Sequence, residues 1–175
     1  SQQQSLKPRE PALAKAGAMY VVTGVSTSAP TNNNESARYH TAYFYEQARL
    51  QASGRGFLGF GYFTTVDRET GIRTRQQYRQ DWPYTGKLWR TEVYTAEGHK
   101  LGANETTYGL VQCYSNGVAL NSCVTSLSNT LAERGSSALG PLQLFAAKQA
   151  EQNWALSDNG NVQGTLLKDT LTLHQ

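Results

Sequence analysis

The chain has 175 residues, enough for one domain with a core or for a piece of a larger repetitive assembly; only 17% of them are charged and 38% are hydrophobic. Ten tyrosines against one methionine, with abundant Gly, Thr, Ser, Asn and Gln, match secreted β-rich proteins whose strands have one wet face. A net charge of +3 spread over scattered basic residues argues against nucleic acid as a partner, and no segment approaches the roughly 18–20 apolar residues that span a bilayer.

Residues 1–18, with Pro8 and Pro11, read as a flexible N-terminal arm or linker. The start, Ser1-Gln2-Gln3-Gln4-Ser5, is no signal peptide and lacks an initiating Met, so the expectation is an excised fragment with any export signal outside it. Met19 to Ser26 reads as a strand from its β-branched content, and Ala29 to Ser36, with Pro30 and three Asn, as a loop. Arg38 to Leu50 alternates aromatic and polar residues through Tyr39, Thr41, Tyr43 and Tyr45, the period-two pattern of a half-buried strand.

Gly54-Arg55-Gly56-Phe57-Leu58-Gly59-Phe60-Gly61 contains the spacing of a dinucleotide-binding fingerprint, but a helix must open at those glycines for its N–H groups to meet a pyrophosphate. Gly61 to Asp67 instead reads as a strand, so the glycines mark a bulge or a close approach of backbone. Ile72 to Gln80 and Gly86 to Thr95 are the next strands. The short turns Glu69-Thr70-Gly71, Trp82-Pro83-Tyr84-Thr85-Gly86 and Ala96-Glu97-Gly98 join antiparallel neighbours into a meander.

Further strands are predicted at Asn104 to Gln112, Val118 to Ser126, Gln152 to Leu156 and Thr165 to Leu173; Pro141 to Ala150 reads as strand or short helical turn, and Ser128 to Gly140 as a loop. Cys113 and Cys123 flank Asn116-Gly117, the strongest two-residue hairpin signal. A disulfide between them would stabilise by roughly 2.5–3 kcal/mol on the entropic model and would suit an oxidising compartment; the alternative is two free thiols, and neither form is catalytic by default. The organisation expected is thus an arm over 1–18, a β-meander over 19–127 and a C-terminal β extension over 128–175. The fold class is mainly β, an antiparallel sheet.

Tyr43-Phe44-Tyr45-Glu46-x-Ala48-Arg49-Leu50, then Gly54 to Phe60, then Asp67-x-x-Thr70-Gly71-Ile72-x-Thr74, then Tyr78-x-Gln80-Asp81-x-Pro83-Tyr84-x-Gly86 stand in fixed order. Together they resemble a segment in the B components of bacterial insecticidal toxin complexes and in related SpvB-like and Rhs/YD-repeat proteins, over roughly residues 19 to 110. The motif residues are Gly54, Arg55, Gly56, Phe57, Leu58, Gly59, Phe60, Asp67, Gly71, Tyr78, Asp81, Pro83, Tyr84 and Gly86. The resemblance implies a strip of β-sheet from a hollow shell that encloses a toxic polypeptide. Its partners would be other segments of the parent toxin or neighbouring subunits, its location extracellular, and catalysis would reside in a separate toxic domain. The chain departs from an ordinary repeat array, with Tyr94-Thr95-Ala96-Glu97-Gly98 standing where a Tyr-Asp-x-x-Gly unit would. Tyr43, Tyr45, Phe57, Phe60, Tyr62, Tyr78, Trp82, Tyr84 and Trp89 would lock adjacent strands through cross-strand pairs worth a few tenths to about 1 kcal/mol each.

Other chemistries have weaker footing. Asp67 with Glu69, or Asp81 with Glu92, would be the carboxylate pairs of a glycoside hydrolase, but these acids sit mostly in turns where local hydrogen bonding explains them. His40, His99 and His174 lie far apart without a nucleophile beside them, and no metal or cofactor site is expected. Arg73, Arg75, Arg79 and Arg90 interleave with aromatics, as in single-strand binders, yet there is no basic excess to support one. The alternative to a scaffold is a module that binds a glycan or host receptor, with Trp82, Tyr84 and Trp89 stacking on the ligand.

Overall fold

A computed structural model describes residues 12–13, 18–29, 36–51, 55–115, 118–128, 142–154 and 166–173; the side chains of 12–13, 112–128, 142–144 and 167 lie outside that description. Gly54, Asn116-Gly117, the predicted loop beyond Ser128, His174 and most of the arm therefore fall outside the described residues.

The fold is all-β and antiparallel, as the composition implies. Among the described residues ten strands form one sheet: β1 (Ala12–Leu13), β2 (Gly24–Ser28), β3 (Arg38–Gln51), β4 (Gly56–Asp67), β5 (Arg73–Tyr78), β6 (Leu88–Tyr94), β7 (Lys100–Ser115), β8 (Val118–Ser128), β9 (Leu142–Trp154) and β10 (Leu166–Leu173). β3 to β7 are a meander in sequence order, after which β9 and β10 continue the sheet. β1 and β2 share one edge of β3, at residues 50–51 and 38–42. β6 and β8 share one edge of β7, with β6 against residues 100–105 and β8 against 108–115. One column of the sheet is thus built from two short strands laid end to end.

The structure differs from the sequence expectations at several boundaries. Met19 to Thr23 lies outside the strand, which begins at Gly24, and its one backbone bond to β3 among the described residues is from the Tyr43 N–H to the Thr23 carbonyl at 2.9 Å. Of Pro141 to Ala150, read as strand or short helical turn, the described residues from Leu142 belong to β9, which runs on to Trp154 and so takes in Gln152 to Trp154 of the segment predicted separately at Gln152 to Leu156, the rest of which lies outside the described residues. Its Ala, Leu, Gln and Lys residues suit a helix, but pairing with β7 along its length and with β10 from Lys148 to Trp154 overrides propensity. Ala12–Leu13, inside the presumed free arm, pairs with Leu50 and Gln51.

Residues in register share a face, and here the two faces differ in chemistry. On one face the rows read Phe44–Thr64–Arg75–Glu92–Ala103 and Glu46–Tyr62–Gln77–Arg90–Glu105 from β3 to β7. On the other they read Tyr43–Thr65–Thr74–Val93–Gly102 and Tyr45–Phe63–Gln76–Thr91–Asn104, with no charge. An aromatic chain runs along β3 and β4, Phe57 to Phe60 to Tyr45 to Phe63 to Tyr43, with ring centroids 5.0–5.7 Å apart. The glycine-rich motif is a β-bulge, as its spacing suggests: Arg49 pairs with Gly59 and Leu50 with Phe57, so Leu58 is the extra residue.

The described residues contain no helix and no second sheet, and the strands touch almost wholly their hydrogen-bonded neighbours. Two close approaches depend on glycine. Phe145 lies across Gly109, its ring 2.3 Å from where a Cβ would stand. Gly71 closes the β4–β5 turn at φ 70°, with its N–H donating to the Asp67 carbonyl at 2.8 Å, and a Cβ there would come 2.5 Å from that of Ala96. Gly71→Ala is expected to lower stability by about 1–2 kcal/mol, the penalty of a left-handed L-residue, read as a fall in the urea midpoint; an unchanged midpoint would contradict this turn geometry.

Candidate functional site

The connection between β5 and β6 carries a cluster of buried side chains, Arg79, Asp81 and Tyr84. This segment, Arg79 to Lys87, leaves β5 as a short extension of the hairpin: the Arg79 N–H donates to the Lys87 carbonyl at 2.9 Å, and the Gly86 N–H to the Arg79 carbonyl at 2.8 Å. Gly86 takes φ 79°, and Trp82-Pro83 is a cis peptide. Arg79 and Asp81 are both buried and form a two-point pair in which Nε donates to Oδ1 at 2.7 Å and Nη2 donates to Oδ2. The Arg79 guanidinium also lies 4.4 Å from the centre of the Tyr84 ring.

Tyr84, 1% exposed, meets Tyr108 of β7 at 6.4 Å, and the Tyr108 hydroxyl donates to the Leu88 carbonyl at 2.7 Å. Burial raises the Tyr108 pKa, against the opposing pull of the Arg79 charge. Leu110, fully buried, lies two residues along β7 on the same face. On the other side of the segment, the Gln80 amide donates to the carbonyls of Gln47 and Gly59, each at 2.8 Å. Gln47 is a non-glycine residue at φ 56°, and this bond holds its carbonyl in place. The β5–β6 connection therefore ties β3 and β4 to β7.

A second cluster lies on the charged face. The Glu92 carboxylate receives Lys100 at 2.7 Å and Arg90 at 3.1 Å. Lys100 Nζ also stands 5.8 Å from the Tyr94 ring and 5.6 Å from that of Trp154. Burial alone would raise the Glu92 pKa, but hydrogen bonds from Lys100 and Tyr94 and the charges of Arg90 and Lys100 outweigh it and hold it below the usual range. Tyr94 is raised, first by burial and then by its bond to Glu92. Arg75 rests 4.1 Å over Tyr62 and contacts Glu46 at 3.5 Å. Beside the cluster is a shallow hollow of about 240 Å³ lined by Arg90, Glu105, Thr107, Lys148 and Gln152 among others.

The motif residues have structural tasks here. The Asp67 side chain accepts the N–H groups of Glu69 at 2.8 Å and Thr70 at 3.3 Å, which hold its pKa below the ordinary carboxylate value. Asp81 is engaged by Arg79 and Glu92 by two cations, so neither presents a free carboxylate. Of the three residues expected to stack on a ligand, Tyr84 needs correction: its ring is enclosed between Arg79 and Tyr108 and offers no open face. Trp82 is 39% exposed with the Arg55 guanidinium 4.2 Å from its ring centre, and Trp89 is partly buried. His40 Nδ1 lies 2.8 Å from the Ser26 hydroxyl and His99 sits in the β6–β7 turn, with no cluster of three metal-binding side chains among the described residues. Arg79, Gln80, Tyr108 and the Glu92–Lys100 pair did not stand out as a site in the sequence; the signal available was Arg-x-Asp entering a Pro-Tyr-x-Gly turn.

Comparison with known proteins gives no significant match to any protein-family model, curated protein or solved structure.

Two outcomes follow from these clusters. Asp81→Asn removes the charge that Arg79 faces inside the fold, and a loss of about 3–5 kcal/mol in unfolding free energy is expected, whereas the double change Arg79→Met with Asp81→Leu should lose less. Equal losses in both would mean that the pair's burial is unimportant. For Glu92, folding lowers the pKa, so its contribution is complete above the unfolded-state value and disappears as pH falls through the folded one. Glu92→Gln should therefore flatten the acid limb of the stability curve, measured by urea unfolding at neutral and acidic pH; an unaltered limb would assign the acid sensitivity elsewhere.

Proposed function

We propose that this chain is a non-catalytic structural segment, a strip of β-sheet wall from a secreted or injected protein of the toxin-complex B or Rhs-related kind. The observation that carries the reading is the imbalance of burial: Ala42, Leu58, Tyr84, Leu110 and Ala147 are the buried apolar residues among those described, while thirteen large apolar side chains are exposed. A domain that completes its own core covers such residues with a second layer. Among the described residues no second layer covers either face of this sheet, which suits a wall whose neighbours are other parts of a parent assembly.

The ordered motifs support the same reading by what they do. They form a bulge, an Asp-anchored turn and a plugged hairpin connection, all devices that shape a sheet. The principal charged side chains of the two clusters are paired with each other, which supports a packing role over acid–base chemistry. A glycan-binding role draws little support, because Tyr84 is enclosed and Trp82 already carries Arg55.

An isolated strip with open edges should self-associate. Size-exclusion chromatography with light scattering is expected to show a mass that rises with protein concentration, alongside a β-type circular dichroism spectrum. A monomer at every concentration, with specific glycan-array binding that Trp82→Ala or Trp89→Ala abolishes, would replace the scaffold with a recognition module.

A further inference from the structure

Exposed apolar surface gathers at the two ends of the strand path. Of the thirteen large apolar side chains exposed among the described residues, five lie between Met19 and Val25, and three, Leu166, Leu171 and Leu173, lie on β10. β2 pairs with β3 alone and β10 with β9 alone, so each has an outer side without a partner among the described residues. Edge strands are commonly blunted by charged side chains or proline. Met19 to Ser28 contains neither. The Tyr43 N–H donates to the Thr23 carbonyl and the Ala29 N–H to the Ala37 carbonyl, each at 2.9 Å. On this register the odd-numbered residues of β2 bond to β3, and Gly24, Ser26 and Ser28 turn their N–H and C=O groups outward. β10 holds Lys168 and Asp169, of which Lys168 reaches back to Glu151 of β9 at 3.5 Å.

We infer that these two edges fit each other: β10 of one copy pairs antiparallel with β2 of the next, head to tail, so that the sheet continues from copy to copy. The inference rests on the reading of the chain as an open strip of wall, and adds which edges meet and with what symmetry. The path β2–β3–β4–β5–β6–β7–β9–β10 has eight strands, and every step along it is antiparallel, so β2 and β10 run in opposite directions. A second copy displaced sideways without being turned over therefore sets its β10 antiparallel to β2, with the charged faces of both copies on one side. On that face β10 presents Leu171 and Leu173 and β2 presents Gly24, Ser26 and Ser28, large side chains against small ones. On the other face Thr170 and Thr172 meet Val25 and Thr27, β-branched against β-branched. Pairing of β10 with itself would instead crowd the Asp169 carboxylates and leucines of both copies onto one face, and pairing of β2 with itself would set small residues against small. A head-to-tail contact leaves an unused edge at each end, so copies keep adding unless the curvature closes a ring.

The test is complementation between two edge-blocked forms of the full chain, read by light scattering on size-exclusion eluates. Ser26→Pro removes an outward donor from β2 without touching its ladder to β3, and Leu171→Lys with Leu173→Lys charges the edge of β10. Each form alone should elute at the mass of one chain with a β-type circular dichroism spectrum. An equal mixture of the two should give twice that mass and nothing larger, because one intact β2 edge meets one intact β10 edge. If Ser26→Pro loses the β spectrum, Val25→Lys takes its place. A blocked form that still dimerises alone, or a mixture that stays at the mass of one chain, overturns head-to-tail pairing and leaves the wall reading in place. An unaltered chain that is monomeric at every concentration also overturns the pairing, and glycan binding then decides the wall reading separately.

Discussion

Arg79 and Asp81 carry opposite charges into the buried connection between β5 and β6, and the sheet's geometry there follows from keeping them together. Their two-point contact holds the β5–β6 connection folded back on itself, which brings Tyr84 under the Arg79 guanidinium and against Tyr108. From the same segment Gln80 reaches the carbonyls of Gln47 and Gly59. A connection that would ordinarily be a surface turn thus joins the β3–β4 half of the sheet to β7. A buried ion pair is weak evidence of net stability when compared with apolar residues of the same volume. Its effect here is better described as specification: a two-point Arg–carboxylate contact admits one arrangement, where an apolar plug would admit several.

The column shared by β6 and β8 depends on this plug. β6 begins at Leu88 and β8 ends at Ser128, where it pairs with Tyr108. At that junction the Leu88 carbonyl receives the Tyr108 hydroxyl, a side chain standing in for the strand partner. Burial that raises the Tyr108 pKa keeps the hydroxyl protonated and able to donate.

Much of this architecture was legible in the sequence because its determinants are local. Period-two alternation through Tyr39, Thr41, Tyr43 and Tyr45 marks β3, and Gly71 and Gly98 close turns that each need a positive φ. The bulge in the glycine-rich motif was readable for the same reason. What was not legible depends on distant partners. Helix-forming residues in β9 become strand because β7 pairs with them, joined by β10 from Lys148 onward, and Tyr84, in a turn-like stretch of Asp, Pro, Thr and Gly, packs against Tyr108 from another strand. Gln47 at φ 56° had no signal, since glutamine carries no preference for that region and a remote amide holds it there. The candidate site was half visible: Asp81, Pro83, Tyr84 and Gly86 belonged to a motif, whereas the direction they face came from Arg79 and Tyr108.

The unlike faces of the sheet have a consequence for how it answers to its solvent. Across β3 to β7 the Glu46, Arg75, Arg90, Glu92 and Lys100 side chains share one face, while the two opposite rows hold Thr, Gln, Asn, Val, Gly and aromatic residues. Dissolved ions screen exposed charge pairs over about 8 Å at physiological strength and leave uncharged contacts untouched. Ionic strength therefore acts on these rows from one side only. Raising it loosens the cross-strand grip of the charged face while the aromatic and threonine rows keep theirs, so a change of salt becomes a difference in tension between the two surfaces of one thin layer.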